Sequence, residues 1–240
     1  MNKYSAMFSG IIGQEYDTLQ LICPAATEMS RLVGVTVSAF PGTSEQICVV
    51  EIGGGTGITT LSLLTAKDTV HVHSIDNEPT MQEQAKQCLQ KWVNEGRLSF
   101  CGDDALTALQ QLDSDSVDIV ASAYTLHNFI NNYREQVIKE IYRVLKPNGQ
   151  FINGDRYGLD DINLHTRLVQ DEISHYFKVL IPLNRPELLE QWILHLFNDE
   201  SENHVMRETN ALQQLRDAGF SAIKVSHRIA VSALVAAVKE

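Results

Sequence analysis

From about Gln46 onward, short runs of β-branched and aliphatic residues alternate with longer segments of helical spacing. "QICVVEI", "TVHVHSI", "RLSFC", "SVDIVASAY" and "QFINGD" read as five strands. Between them, "ITTLSLLTA", residues 79–93, "DALTALQQL" and residues 132–145 read as helices, most clearly where Met81, Ala85, Leu89 and Val93 recur every four positions. Pro79 suits a first helical turn, and "KPNG" ends the fourth helix with a lysine and turn residues. Strands that alternate with helices predict a parallel sheet covered on both faces.

The alternation breaks after Gly158. Leu164, Leu168, Ile173 and Phe177 mark one helix and Leu188, Leu189, Trp192, Ile193, Leu196 and Phe197 another, with no strand after either. This predicts a helical lid inserted at about 159–205. The scheme resumes with a helix over 211–218 stopped by Gly219, and "FSAIKVSHRIAVSALVAAVK" holds two strand-like runs with almost nothing between them, which predicts an antiparallel hairpin at a sheet edge. Residues 1–45, with a helix around 16–33 and a "FPGTS" linker, read as an N-terminal helical cap on a main domain of 46–240. The expected architecture is α/β, a seven-stranded Rossmann-like sheet with a terminal antiparallel hairpin and a helical lid.

A chain of 240 residues suffices for one large domain with an insertion. Its net charge of −11 disfavours an extended nucleic acid, whose binding draws mainly on Lys and Arg. Cys23, Cys48, Cys88 and Cys101 have no CxxC spacing and read as buried reduced thiols in a cytoplasmic protein. The start, "MNKYSAMFSG", has no apolar core of signal-peptide length, and no stretch approaches the roughly 20 apolar residues of a membrane span, so no membrane association is expected.

The stretch with the most chemical content is "VVEIGGGTGITTLSLL", where Gly53, Gly54, Gly55 and Gly57 follow a strand and precede a helix. Open α/β sheets bind ligands at the carboxyl ends of their strands, and glycine there lets main chain approach closely. The dinucleotide pattern GxGxxG fails, because its third glycine is Ile58; the match is ExGxGxG through Glu51, Gly53, Gly55 and Gly57. An acid at that strand end would repel a pyrophosphate and suits a ligand carrying an ammonium and a sulfonium. The loop resembles that of the class I S-adenosylmethionine-dependent methyltransferases of small-molecule type. The resemblance covers about 46–158 and continues in "SIDNEP", "CGDDAL" and "YRVLKPNGQF". It implies S-adenosylmethionine as cofactor, with Asp76 and Asn77 at the ribose, Asp103 and Asp104 at the adenine, Ala123 at the end of strand four, and Tyr16 of "QEYD" over the cofactor. Helix capping is the other role open to Asp76, Asp103 and Asp104.

Methyl transfer from a sulfonium demands a positioned nucleophile, and a base only if that nucleophile carries a proton. The acceptor is expected over strands four and five, where "SAYTLHNF" offers Tyr124, His127 and Asn128. His127 is the candidate base, because imidazole titrates near neutral pH; holding the loop is its other possible task. Asp155, Arg156, His175 and Arg185 are candidate acceptor contacts, and a polar or anionic acceptor is compatible with them. His71 and His73 share a strand face without a third ligand, and strand four ends without an acid, so no metal is expected. The expected partner is a small-molecule acceptor, methylated on oxygen or nitrogen; a homodimer is compatible with this reading. "YTLHNF" and "DNEP" also resemble the carboxy-S-adenosylmethionine synthases, enzymes that modify the cofactor for tRNA work, although Ala26 stands near the place of their cofactor-contacting tyrosine. A non-catalytic cofactor-binding subunit is the third reading.

Overall fold

The computed structural model describes residues 14–41 and 45–240. Residues 1–13, which begin "MNKYSAMFSG", and residues 42–44 of the "FPGTS" linker lie outside the described residues, and so do the expectations placed on them. Seven strands, β1 (Ile47–Ile52), β2 (Val70–Ile75), β3 (Leu98–Cys101), β4 (Val117–Ala123), β5 (Leu145–Arg156), β6 (Ser221–Ile229) and β7 (Ser232–Val238), form one sheet in the order β3-β2-β1-β4-β5-β7-β6. The first five pair parallel, and β7 runs antiparallel between β5 and β6. This is the Rossmann-like sheet with a terminal hairpin that the alternation predicts.

Ten helices among the described residues accompany it: α1 (Gln14–Ile22), α2 (Pro24–Ser38), α3 (Ile58–Leu64), α4 (Pro79–Cys88), α5 (Gln90–Asn94), α6 (Ala105–Gln110), α7 (Asn131–Val144), α8 (Ile162–Leu180), α9 (Pro186–Asp199) and α10 (Glu208–Ala218). Successive strand residues point to opposite faces. Val49, Val72, Ile119 and Ile152 therefore meet Met29 and Val33 of α2 and Leu61 of α3 in one layer. Val50, Ile75, Val120 and Phe151 meet Leu109 of α6, Val137 and Ile141 of α7 and Leu215 of α10 in the other. Gly154 lets α2 approach β5 closely, since a Cβ there would stand 2.9 Å from Met29 Cβ. The lid helices have a smaller core of their own, in which Tyr176, Leu180, Leu189 and Leu196 close around Ile22 at the end of α1. No helix among the described residues is long and apolar enough to cross a membrane.

Four local details differ from the sequence reading. The helix expected over 16–33 breaks at Cys23 because Pro24 disfavours helical geometry in the residue before it. The helix over 79–93 breaks at Leu89, whose φ of −107° and ψ of 17° separate α4 from α5. "KPNG" does not end the chain's helix and then lead to a later strand; it is a bulge inside β5, where the pairing jumps from Val117↔Leu145 to Ile119↔Gln150 and Asn148 takes a φ of 66°. Cys48 is exposed, although it lies on the central strand β1. All four cysteines are free thiols.

Candidate functional site

A cavity of about 680 Å³ opens at the carboxyl ends of β1, β2 and β4 and continues beneath the lid. That is the place where an open parallel sheet binds its ligand, and the size is that of a small-molecule site. Gly53, Gly54, Gly55, Asp76, Asn77, Asp103, Asp104 and Ala123 line one end; Tyr124, His127, Arg156, Glu172, His195 and Asp199 line the other.

The glycine loop turns through left-handed geometry, with φ of 74° at Gly53 and 52° at Gly55. A side chain at Gly53 would collide with Thr125, its ideal Cβ standing 2.0 Å from Oγ1, whereas a Cβ at Gly55 would meet nothing within 4 Å. Gly53 is thus required by packing, and Gly55 leaves bare main chain facing open space. Gly57 does not line the cavity; it caps α3 with a φ of 95° beside Leu89.

The acids divide between structural and free roles. Asp76 at the end of β2 accepts hydrogen bonds from the Gly55 N–H at 2.7 Å and the Glu78 N–H at 2.8 Å, so it ties the loop to the neighbouring strand. Asp104 is the N-cap of α6 and also accepts from Tyr133 Oη at 2.7 Å; its bonds from the Thr107 hydroxyl and from Tyr133 hold its carboxyl below the usual carboxylate range. Capping therefore applies at Asp104. Asp103 is exposed, accepts from Gln111 at 3.0 Å and keeps acceptor capacity toward the cavity.

Glu51 does not stand at the cavity entrance. Its side chain is fully buried beneath the loop, where Oε2 accepts from Thr60 at 2.6 Å and Ser74 at 2.7 Å while Oε1 has no partner among the described residues. Burial pushes its carboxyl up from 4.5 to about 7, against the two hydroxyl hydrogen bonds that favour the charged form. The folded protein therefore keeps this proton at pH values where the unfolded chain has released it. Stability contributed in this way is present at the acid end and falls as pH rises from about 4.5 to about 7. Glu51→Gln should remove that slope, worth at most about 3 kcal/mol. Urea midpoints of both proteins across this range test it, and parallel curves would contradict the assignment.

At the other end, Tyr124 leaves β4 with a φ of 52°, a left-handed geometry rare for a bulky residue, and starts the turn that carries the short 3₁₀ segment Leu126–Asn128. That turn sets buried His127 over β5, its Nδ1 2.5 Å from Asp155 Oδ1. Asp155 is itself fully buried behind the histidine, where it also accepts the Leu126 and Arg156 main-chain N–H groups. It positions His127 and does not reach the cavity, contrary to the role expected of it as an acceptor contact. Arg156 does reach the cavity, with Nη1 forked onto Glu172 at 2.8 and 3.0 Å and Nη2 2.9 Å from Glu200.

Three other candidates fall elsewhere. Tyr16 lies in a second cavity between α1, α2 and α8, with His175, which bonds to the Leu21 carbonyl. Arg185 is exposed before α9 and pairs with Glu187, away from both cavities. An anionic acceptor finds no free cation, since Arg156 is the one Lys or Arg lining the main cavity among the described residues and two carboxylates hold it.

The lid contributes residues that the sequence reading passed over. His195 and Asp199 stand one turn apart on α9, with His195 Nε2 3.6 Å and His127 Nε2 3.7 Å from the same Asp199 Oδ2. The signal was the spacing His-x-x-x-Asp inside "ILHLFND", which puts both side chains on one face of the helix.

A family model described as a methyltransferase domain matches residues 50–153. The chain is 37% identical over 112 residues to a demethylmenaquinone methyltransferase of Leptospira interrogans, covering 47% of this chain and 44% of that protein. It is 20% identical over 162 residues to a carboxy-S-adenosyl-L-methionine synthase of Glaesserella parasuis, covering 68% and 65%. The chain thus matches less than two thirds of the length of these curated relatives. Its fold resembles that of an O-methyltransferase family protein from Burkholderia thailandensis, with a TM-score of 0.66 at 16% identity over 95% of this chain and 60% of that one. With this domain match, this sheet and a glycine loop set among strand-end acids, the chain is similar to the class I S-adenosylmethionine-dependent methyltransferases, and residues 50–153 carry the match to a methyltransferase domain.

Proposed function

We propose that the protein transfers a methyl group from S-adenosylmethionine to an oxygen or nitrogen of a small-molecule acceptor. The observation that carries this reading is the position of His127, oriented by Asp155 and facing the same cavity as the bare glycine loop. The cofactor end fits a cationic nucleoside, because it is lined by main chain at Gly53–Gly55 and by acids, with no Lys or Arg among its described residues. Gly53, Gly54 and Gly55 would hold the amino-acid portion, Asp76 and Asn77 the sugar, and Asp103 the base. When bound, the cofactor supplies an electrophilic methyl group on a sulfonium.

The remaining contribution belongs to the protein's own side chains. The Asp155 carboxylate keeps the proton on Nδ1 of His127, which leaves the Nε2 lone pair as the activating group for an acceptor O–H or N–H. Glu172 and Asp199 make the acceptor end acidic, which favours a neutral or cationic acceptor. A carboxylated cofactor, as in the synthase reading, would need an uncommitted cation, and Arg156 is not one.

Calorimetry with S-adenosylmethionine and with its demethylated product tests the donor, and turnover over a panel of phenols, carboxylic acids and amines tests the acceptor. Binding without turnover on any acceptor would support a non-catalytic subunit. Asp76→Ala should weaken cofactor affinity by more than about tenfold, the equivalent of one good charge-assisted hydrogen bond. Unchanged affinity would remove Asp76 from the sugar site.

A further inference from the structure

The lid brings His195 and Asp199 to His127, and direct proton transfer by His127 gives neither of them a task. Their ligand-type atoms and that of His127 all lie within 4.8 Å of one another, and the two histidine Nε2 atoms stand 3.6 and 3.7 Å from Asp199 Oδ2, too far for hydrogen bonds. They are close to the separation of about 3.4 Å expected between donors bound to one tetrahedral ion at about 2.1 Å.

Two further observations point to a ligand. Asp199 is buried, its side chain 4% exposed, and its Oδ1 has no hydrogen-bond partner among the described residues. The nearest fixed positive charge, Arg156 Nε, stands 4.0 Å from Oδ2, beyond hydrogen-bond range, so the buried Oδ1 is left without a donor. His127 also gives its other nitrogen to a carboxylate, at 2.5 Å from Asp155, which is how metal-bound histidines are generally held. His195 is half exposed, so the point where the three converge is reachable from outside.

We propose that His127 Nε2, His195 and the Asp199 carboxylate form a divalent-cation site at the acceptor end of the cavity. Two imidazoles and one carboxylate suit zinc or another first-row transition ion; magnesium and calcium prefer all-oxygen sites. No acid at the end of β4 is needed, because the lid supplies the ligands that the strand lacks. A cation here would add positive charge to an end of the cavity where Arg156 is already paired, and would favour an acceptor that reacts as an anion. That role rests on the methyl-transfer reading; the site and its test do not.

The test is titration of the chelator-treated full chain with zinc, with cobalt(II) absorption as a report on coordination. One equivalent of zinc at micromolar affinity or tighter is expected, with visible cobalt bands typical of a four- or five-coordinate ion. His195→Ala and Asp199→Asn should each weaken zinc at least tenfold, and Asp155→Asn, which changes the contact behind His127, by about 10- to 100-fold. His195 is half exposed, so its variant tests the site even if a buried one misfolds. No zinc binding, or binding unaffected by His195→Ala, overturns the proposal. Calorimetry with S-adenosylmethionine on the same preparation separates the two readings: donor binding by a chain that ignores zinc sinks only the cation site, and zinc binding by a chain that ignores the donor sinks only the methyl-transfer reading.

Discussion

Replacing His127 with alanine should lower methyl-transfer turnover by about 10²- to 10⁴-fold, the usual contribution of a positioned acid or base, while cofactor affinity stays within about twofold. The expectation follows from Asp155. Burial alone would raise its carboxyl, but the contact with His127, the hydrogen bond from the Arg156 main-chain N–H and the nearby Arg134 guanidinium reverse this and hold it below the usual carboxylate range. An ionised Asp155 can only accept, so Nδ1 carries the proton and Nε2 offers its lone pair to the cavity. Asp155→Asn should therefore cost turnover of a similar order, since it removes the charge that selects this tautomer. Both direct proton transfer and the cation site use the same lone pair, so the loss is expected in either case, and the zinc titration distinguishes them. If His127→Ala lost cofactor binding and turnover equally, the histidine would be holding the loop.

The parts of this arrangement that could be read in the sequence are those dictated by local pattern. Val49 and Val50, or Ile152 and Phe151, occur side by side because each strand is buried on both faces, and that signal survives without knowledge of the partners. The loop was legible because Gly53 and Gly55 need backbone geometry that other residues resist. Features set by tertiary contact were not. Glu51 reads as a free acid at a strand end, and only the hydroxyls of Ser74, on a neighbouring strand, and Thr60, on α3, show that it is turned inward. Tyr16, His175 and Arg185 were of suitable type, but which cavity a lid or N-terminal helix faces depends on how it docks. His195 and Asp199 were overlooked for the same reason: two polar residues a turn apart on an amphipathic helix normally mark its solvent side, and here they line the cavity with His127 and Arg156.

The second large effect is expected at Arg156, whose replacement by methionine should destabilise the fold by about 3–5 kcal/mol, the usual cost of breaking a buried ion pair from one side. Burial works against its charge, but Glu172 and Glu200 more than reverse this and keep the guanidinium protonated. Its fork joins α8, through Glu172, to the end of α9, through Glu200, and His165 secures Glu200 from the other side at 2.6 Å. Methionine preserves much of the packing and leaves two largely buried carboxylates facing each other, with Tyr176 Oη and His165 as their remaining partners. Arg156→Lys should recover only part of the loss, because an ammonium cannot make the fork. If charge is the cause, the deficit measured by urea denaturation should shrink as pH is lowered toward the ordinary carboxylate range, where repulsion between acids left without their cation fades. A deficit that stayed constant from neutral to acid pH would instead assign the cost to lost packing between the lid and β5, and the lid would then be held by shape rather than by this ion cluster.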